Sequence, residues 1–131
     1  MRHLKKRLKI NRTSAHRDSM LVNMLNSFLK YEKIKTTKAK AKLLKPVIEK
    51  IITKAKKDNT LHTKRLVYRY LRKWDMIPKL FEKIAPRYKN RPGGYTRIVP
   101  IGFRDSDGAE MVYLELVESY EQSDKSEETT K

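Results

Sequence analysis

Residues 95–117 read YTRIVPIGFRDSDGAEMVYLELV, and this stretch decides the fold class. Segments 95–103 and 109–117 are rich in β-branched and aromatic residues, and Asp105-Ser106-Asp107-Gly108 between them is turn chemistry, so the stretch predicts a β-hairpin. In the second strand Val112, Leu114 and Leu116 alternate with Met111, Tyr113 and Glu115. A period of two sends these sets to opposite faces, so one face is expected against helices and the other outward. Arg91-Pro92-Gly93-Gly94, just upstream, is a turn signal.

Working back from the hairpin, the periodicity becomes helical. Ser14 is a candidate N-cap, after which Met20, Leu21, Met24, Leu25, Phe28 and Leu29 recur on one face to about Tyr31. Lys33–Thr37 is a short strand candidate, and Thr36 or Thr37 can cap a second helix with the stripe Leu43, Leu44, Val47, Ile48, Ile51, Ile52 and Ala55. Pro46 lies inside that stripe and costs about 3 kcal/mol unless the helix kinks or restarts, so a kink is predicted. Asn59 and Thr60 mark a break, residues 61–73 read as a third helix through Leu66, Val67, Tyr70 and Leu71, and Asp75 can cap a fourth with Pro78 in its first turn, ending near Ala85-Pro86.

The expected fold is therefore α/β in class, of the α+β type: two layers, about four helices on a small sheet containing the C-terminal β-hairpin, with a basic N-terminal extension. At 131 residues the chain has room for one domain and a modest core. Residues 1–13 are expected to be a basic extended arm, 14–118 a single α/β domain and 119–131 a disordered acidic tail, because neither terminus has enough apolar surface to offset its ordering entropy. No internal repeat is visible.

Lys and Arg number 32 against 15 Asp and Glu, a net charge of +17 that opposes compaction unless a polyanion neutralises it. Residues 1–45 hold fourteen basic and two acidic side chains, residues 46–103 fifteen and four, and residues 104–131 three and nine. The positive partner surface is thus expected in the first 103 residues. The absence of cysteine excludes a disulfide scaffold and a thiolate zinc site and fits a reducing cytoplasm. No apolar run approaches a membrane span, and the basic start is not followed by a signal-peptide core, so an unprocessed, non-membrane protein is expected.

Arg2, Lys5, Lys6, Arg7, Lys9, Arg12 and Arg17 occur with His3, Asn11 and His16 in a stretch of seventeen residues free of acids. Phosphate contact is the physical reading of that pattern, since a merely solubilising tail needs no one sign of charge. Lys38, Lys40, Lys42 and Lys45 are spaced by two, which spreads them around a helix, and they fit an RNA face or a solvated one equally well. Residues 85–97 interleave Arg87, Arg91 and Arg97 with Tyr88 and Tyr95 around Gly93 and Gly94. Arg and Tyr stack on unpaired bases and bond phosphates, and glycine lets backbone come close to a ligand, although Tyr95 fits a core position equally well.

His16-Arg17-Asp18 with Asn23 matches the spacing of a kinase catalytic loop, but only fifteen residues precede it and Asn23 falls in an amphipathic helix, so kinase chemistry is excluded. His3, His16 and His62 are too scattered for a metal motif, and the acids form no interpretable pair. No metal, cofactor or catalytic residue is expected. Rival classes are a duplex-bending DNA-binding protein, a nuclease using His16 or His62, and, more distantly, a membrane-surface protein.

The stretches MRHLKKRLKINRTSAHRDSML, KIKTTKAKAKLL, IAPRYKNRPGGYTRI and YLELVE, in that order, resemble the bacterial large-subunit ribosomal protein seventeen family up to about Glu118. The resemblance implies a structural, non-enzymatic, cytoplasmic protein of the large ribosomal subunit. It would be buried against ribosomal RNA near the peptide-exit region, beside other ribosomal proteins, supporting assembly and translation. No small-molecule substrate and no homo-oligomer are expected. Carried over by position, the implied RNA contacts are Arg2, His3, Arg7, Asn11, Arg12, His16, Arg17, Lys38, Lys40, Lys42, Arg87, Tyr88, Arg91, Gly93, Gly94, Tyr95 and Arg97. Pro46 and the acidic tail depart from the family pattern.

Overall fold

The computed structural model describes residues 8–117. Helix α1, Ser14–Tyr31, is capped by Thr13, whose Oγ1 accepts from the His16 N–H at 3.3 Å, so Ser14 is the first helical residue and not the cap. It buries Leu25, Phe28 and Leu29 and ends where Glu32 turns left-handed (φ 61°). Strand β1, Lys33–Thr37, follows at once, and Thr37 starts helix α2, Lys38–Lys57.

Pro46 sits within α2 on its exposed side, and the helix neither stops nor restarts there. Proline removes one backbone donor there, and the carbonyl left without it, that of Lys42, belongs to an exposed residue. Helix α2 touches every other element and buries Ala41, Leu44, Ile48, Ile51, Ile52 and Ala55, which makes it the axis of the fold.

Helix α3, Leu61–Leu71, has Thr60 as its cap, accepting from the Thr63 N–H at 3.3 Å. It stops two residues short of the predicted end because Arg72 takes a left-handed conformation (φ 55°) and closes the helix through its N–H to the Tyr68 carbonyl. The fourth helix, α4, spans residues 77–87 as three continuous pieces: Ile77–Lys79, a widened π turn at Leu80–Ile84, and Ala85–Arg87. One expectation fails here. Met76, not Asp75, stands at the cap and makes no side-chain cap bond, whereas the helix ends at Arg87, next to the expected Ala85-Pro86. Pro86 supplies a reason for the π turn: its ring crowds the carbonyl four residues back in a regular helix, and one extra residue in the preceding turn moves that carbonyl aside.

Strands β2, Thr96–Phe103, and β3, Glu110–Leu116, form the hairpin, and β1 pairs with the other edge of β3, giving an antiparallel sheet of order β1-β3-β2. Val112 lies opposite Thr36 and Pro100, and Leu114 opposite Ile34 and Ile98. That face meets the helices, with Thr36, Thr96, Val112 and Leu114 buried. A bulge leaves Ile101 without a partner between Pro100 and Gly102. The architecture is four helices on a three-stranded sheet, as the periodicities predict.

Candidate nucleic-acid interface

The predicted contact residues gather at the two ends of α2. At its start the arm arrives in a turn in which Ile10 and Asn11 are both left-handed (φ 48° and 52°), closed by the Arg12 N–H on the Lys9 carbonyl at 3.2 Å. Asn tolerates that conformation, whereas a β-branched residue is strained in it. The turn and Leu8 line a cleft of about 870 Å³ with Thr37, Lys38, Lys42 and the hairpin residues Asp107 and Glu110. Lys9, Asn11, Arg12 and His16 are exposed, while Arg17 is half-buried and reaches the Arg12 carbonyl and Ser14 Oγ, each at 3.4 Å. Lys38 is paired with Glu110 at 3.2 Å, and Lys40 and Lys42 have no ion-pair partner among the described residues.

At the far end, α2 clamps the loop that precedes β2. The Glu49 carboxylate accepts from the Tyr95 N–H at 3.1 Å, the Thr96 N–H at 3.0 Å and Thr96 Oγ1 at 2.7 Å. The Lys56 ammonium donates to the Tyr95 hydroxyl at 2.9 Å and to the Arg91 carbonyl. Arg91 Nε in turn donates to the Gly93 carbonyl at 3.1 Å. Gly94 is left-handed (φ 63°), a conformation that favours glycine. Gly93 has an ordinary backbone, and a Cβ there would meet nothing within 4 Å, so the fold itself does not demand glycine at that position.

Both tyrosines of this loop are core residues. Tyr88 is 1 % exposed and Tyr95 0 %, their rings 5.3 Å apart. The Tyr88 hydroxyl donates to the Val117 carbonyl at 2.5 Å. Burial pushes it up to about 12, with Glu32 and Glu49 adding to the rise and Arg87 and Arg91 opposing it. Neither ring is placed to stack on a base in this conformation. Arg87 is held by Glu32 through two contacts of 2.5 and 3.0 Å, with Lys79 3.4 Å from the same carboxylate. The hydrogen bond from Arg87 holds the Glu32 carboxyl below the usual carboxylate range, against its partial burial. Arg97 is exposed but lies 2.6 Å from Glu115, whose carboxylate Lys33 also approaches at 3.3 Å.

The predicted set therefore forms two clusters, not one patch. Between Lys42 and Lys56 the α-helical rise of 1.5 Å per residue separates the two ends by about 21 Å. Arg2, His3, Lys5, Lys6 and Arg7 lie outside the described residues, as does the tail from residue 118. His16, Arg17, Asp18 and Asn23 all fall on α1, so their kinase-like spacing is helical and belongs to no loop. Sequence reading passed over Glu49 and Lys56, which position the loop, and the exposed Arg65, Arg69 and Arg72. The arginines had a legible signal, the spacing i, i+4, i+7 of one helix face.

These features define a class: a basic α+β protein wrapped around one long helix, with cationic groups at both ends and on one flank. The family model of ribosomal protein L17 matches residues 20–117, and the chain belongs to that family. Membership makes it a structural constituent of the large ribosomal subunit in the cytoplasm, working in translation in association with ribosomal RNA and other ribosomal proteins. The match begins after the arm, so the arm's part in binding rests on its own chemistry. Among the described residues, no helix is long and apolar enough to cross a membrane.

Proposed function

We propose that this chain binds folded large-subunit ribosomal RNA directly at both ends of α2 and thereby fixes a local RNA arrangement during subunit assembly, without catalysing a reaction. Residues 1–13 act as the reaching arm and residues 14–118 as the folded unit that aims it. The observation that carries the reading is the placement of Lys9, Arg12, Lys40 and Lys42 at one end of a rigid helix and of the clamped loop 91–97 at the other. A polyanion bridging about 21 Å would neutralise both.

Within this reading the roles differ from residue to residue. Lys5, Lys6, Arg7, Lys9, Arg12, Lys40 and Lys42 supply phosphate contacts, joined by Arg91 from the loop and Arg97 from the start of β2. Gly93 gives the RNA backbone close access, since nothing in the fold occupies its Cβ position. Tyr88 and Tyr95 hold the loop from beneath, and Arg87 does so through Glu32. About ten phosphate contacts predict that log affinity falls with log salt at a slope of roughly −7 to −9. Filter binding of the full chain to large-subunit RNA between 50 and 400 mM KCl measures that slope, and a near-flat line overturns the proposal. Gly93→Ala is expected to melt like wild type while binding RNA several-fold more weakly, and wild-type affinity in that variant would remove Gly93 from the interface.

A further inference from the structure

Helix α3 carries a further surface, apart from the two clusters at the ends of α2. Arg65, Arg69 and Arg72 follow one face of the helix, and all three are exposed without an ion-pair partner among the described residues. Like charges at such spacing repel each other, so the helix gains nothing from them by itself. Arg72 also occupies the left-handed position that ends the helix (φ 55°), where glycine would be favoured. Tyr68, three residues after Arg65 and four before Arg72, lies between them on that face. The ring of Trp74, the single tryptophan, stacks on Tyr68 at 4.9 Å and 22°.

Trp74 is 47 % exposed although one face of its indole rests on Tyr68. Tyr68 is itself rooted against the core, so the indole is held in place, and Arg72 and Lys73 immediately precede Trp74 in the chain. An exposed, pre-oriented aromatic ring next in sequence to exposed cations is a combination that takes an unpaired nucleobase together with its phosphates. The acids nearby are Asp75, next in sequence, and Asp18, which shares a cleft with Arg69 and Arg72 without pairing to either. They do not reverse the local sign of charge.

We propose that Trp74 is a stacking platform for an unpaired base of ribosomal RNA, with Arg65, Arg69, Arg72 and Lys73 binding the flanking phosphates. The inference rests on the RNA-binding reading and adds a site to it. A neighbouring ribosomal protein covering Trp74 is the competing occupant, and the unpaired arginines argue against it, since a protein surface offers fewer anions than RNA.

The single tryptophan makes the test direct. Full-length protein is titrated with protein-free large-subunit ribosomal RNA while indole emission and filter retention are followed in parallel. The expected result is quenched emission on binding and an affinity loss of roughly fivefold or more for Trp74→Ala, with Trp74→Phe close to wild type. Arg72→Gly is expected to unfold at the same or a higher denaturant concentration, because glycine suits the left-handed cap. It should nevertheless bind more weakly, with a salt slope shallower by about one. If RNA binds with the wild-type salt slope while emission is unchanged and Trp74→Ala and Arg72→Gly bind normally, the platform is wrong and the broader reading stands. If the emission changes only when other large-subunit proteins are added, the occupant is a protein and the inference falls. If no RNA binds at all, both fall.

Discussion

A tyrosine hydroxyl buried 2.5 Å from a backbone carbonyl stays protonated because its anion has neither water nor a donor to stabilise it, and Tyr88 is in that position. Its folded-state pKa is raised to about 12 from 10.0, so the folded chain keeps a proton that the unfolded chain has already lost. The associated stability is complete below pH 10 and disappears as pH rises toward about 12. Tyr88→Phe deletes the donor and should cost about 1 kcal/mol at pH 7. Urea midpoints of the two proteins should converge between pH 10 and 12, and a gap that stays constant across that range would show that the hydroxyl proton is not involved. RNA affinity of the variant at pH 7 should match wild type. Any loss beyond the stability change would put the ring on the RNA after all.

At the scale of elements, Glu49 shows how one side chain lets a helix govern a loop. Its carboxylate takes both backbone N–H groups that open β2 and the Thr96 hydroxyl. Glu49→Ala leaves part-buried donors unpaired and should cost about 2–3 kcal/mol, whereas Glu49→Gln keeps an acceptor oxygen and should cost less. Hydrogen exchange at Tyr95 and Thr96 should accelerate in the alanine variant, and unchanged protection there would show that the strand start is held by something else. Periodicity made α1, α2, α3 and the hairpin legible, since burial of one face repeats along each element. Their ends were less so: Thr13 and Ser14 both carry a capping hydroxyl, and only the path of the chain decides which one reaches an N–H. The left-handed stop at Arg72 and the π turn before Pro86 have no periodic signature. In the candidate site the cations were legible, but an Arg/Tyr alternation does not reveal which side a ring faces. Tyr88 and Tyr95 pack inward because each hydroxyl finds a partner there, Val117 for one and Lys56 for the other.

For the molecule as a whole, charge acts oppositely on folding and on binding. With 32 basic and 15 acidic side chains, most cations have no acid to meet, and six ion pairs among the described residues leave a strongly self-repelling surface. Exposed pairs are each worth roughly 0–1 kcal/mol, so screening them loses little. Screening the net repulsion gains more, because the Debye length falls from about 10 Å at 0.1 M to about 3 Å at 1 M salt. The free protein should therefore melt at a higher temperature as KCl rises from 0.05 to 1 M, over the range in which its RNA affinity is expected to collapse. Bound RNA should raise the melting temperature at low salt by mass action, and that increment should vanish at high salt. Thermal melts of the full chain with and without large-subunit RNA across this range give both curves. A free-protein melting temperature that falls with salt would mean that the ion pairs outweigh the repulsion, and that the excess positive charge is not the strain RNA relieves.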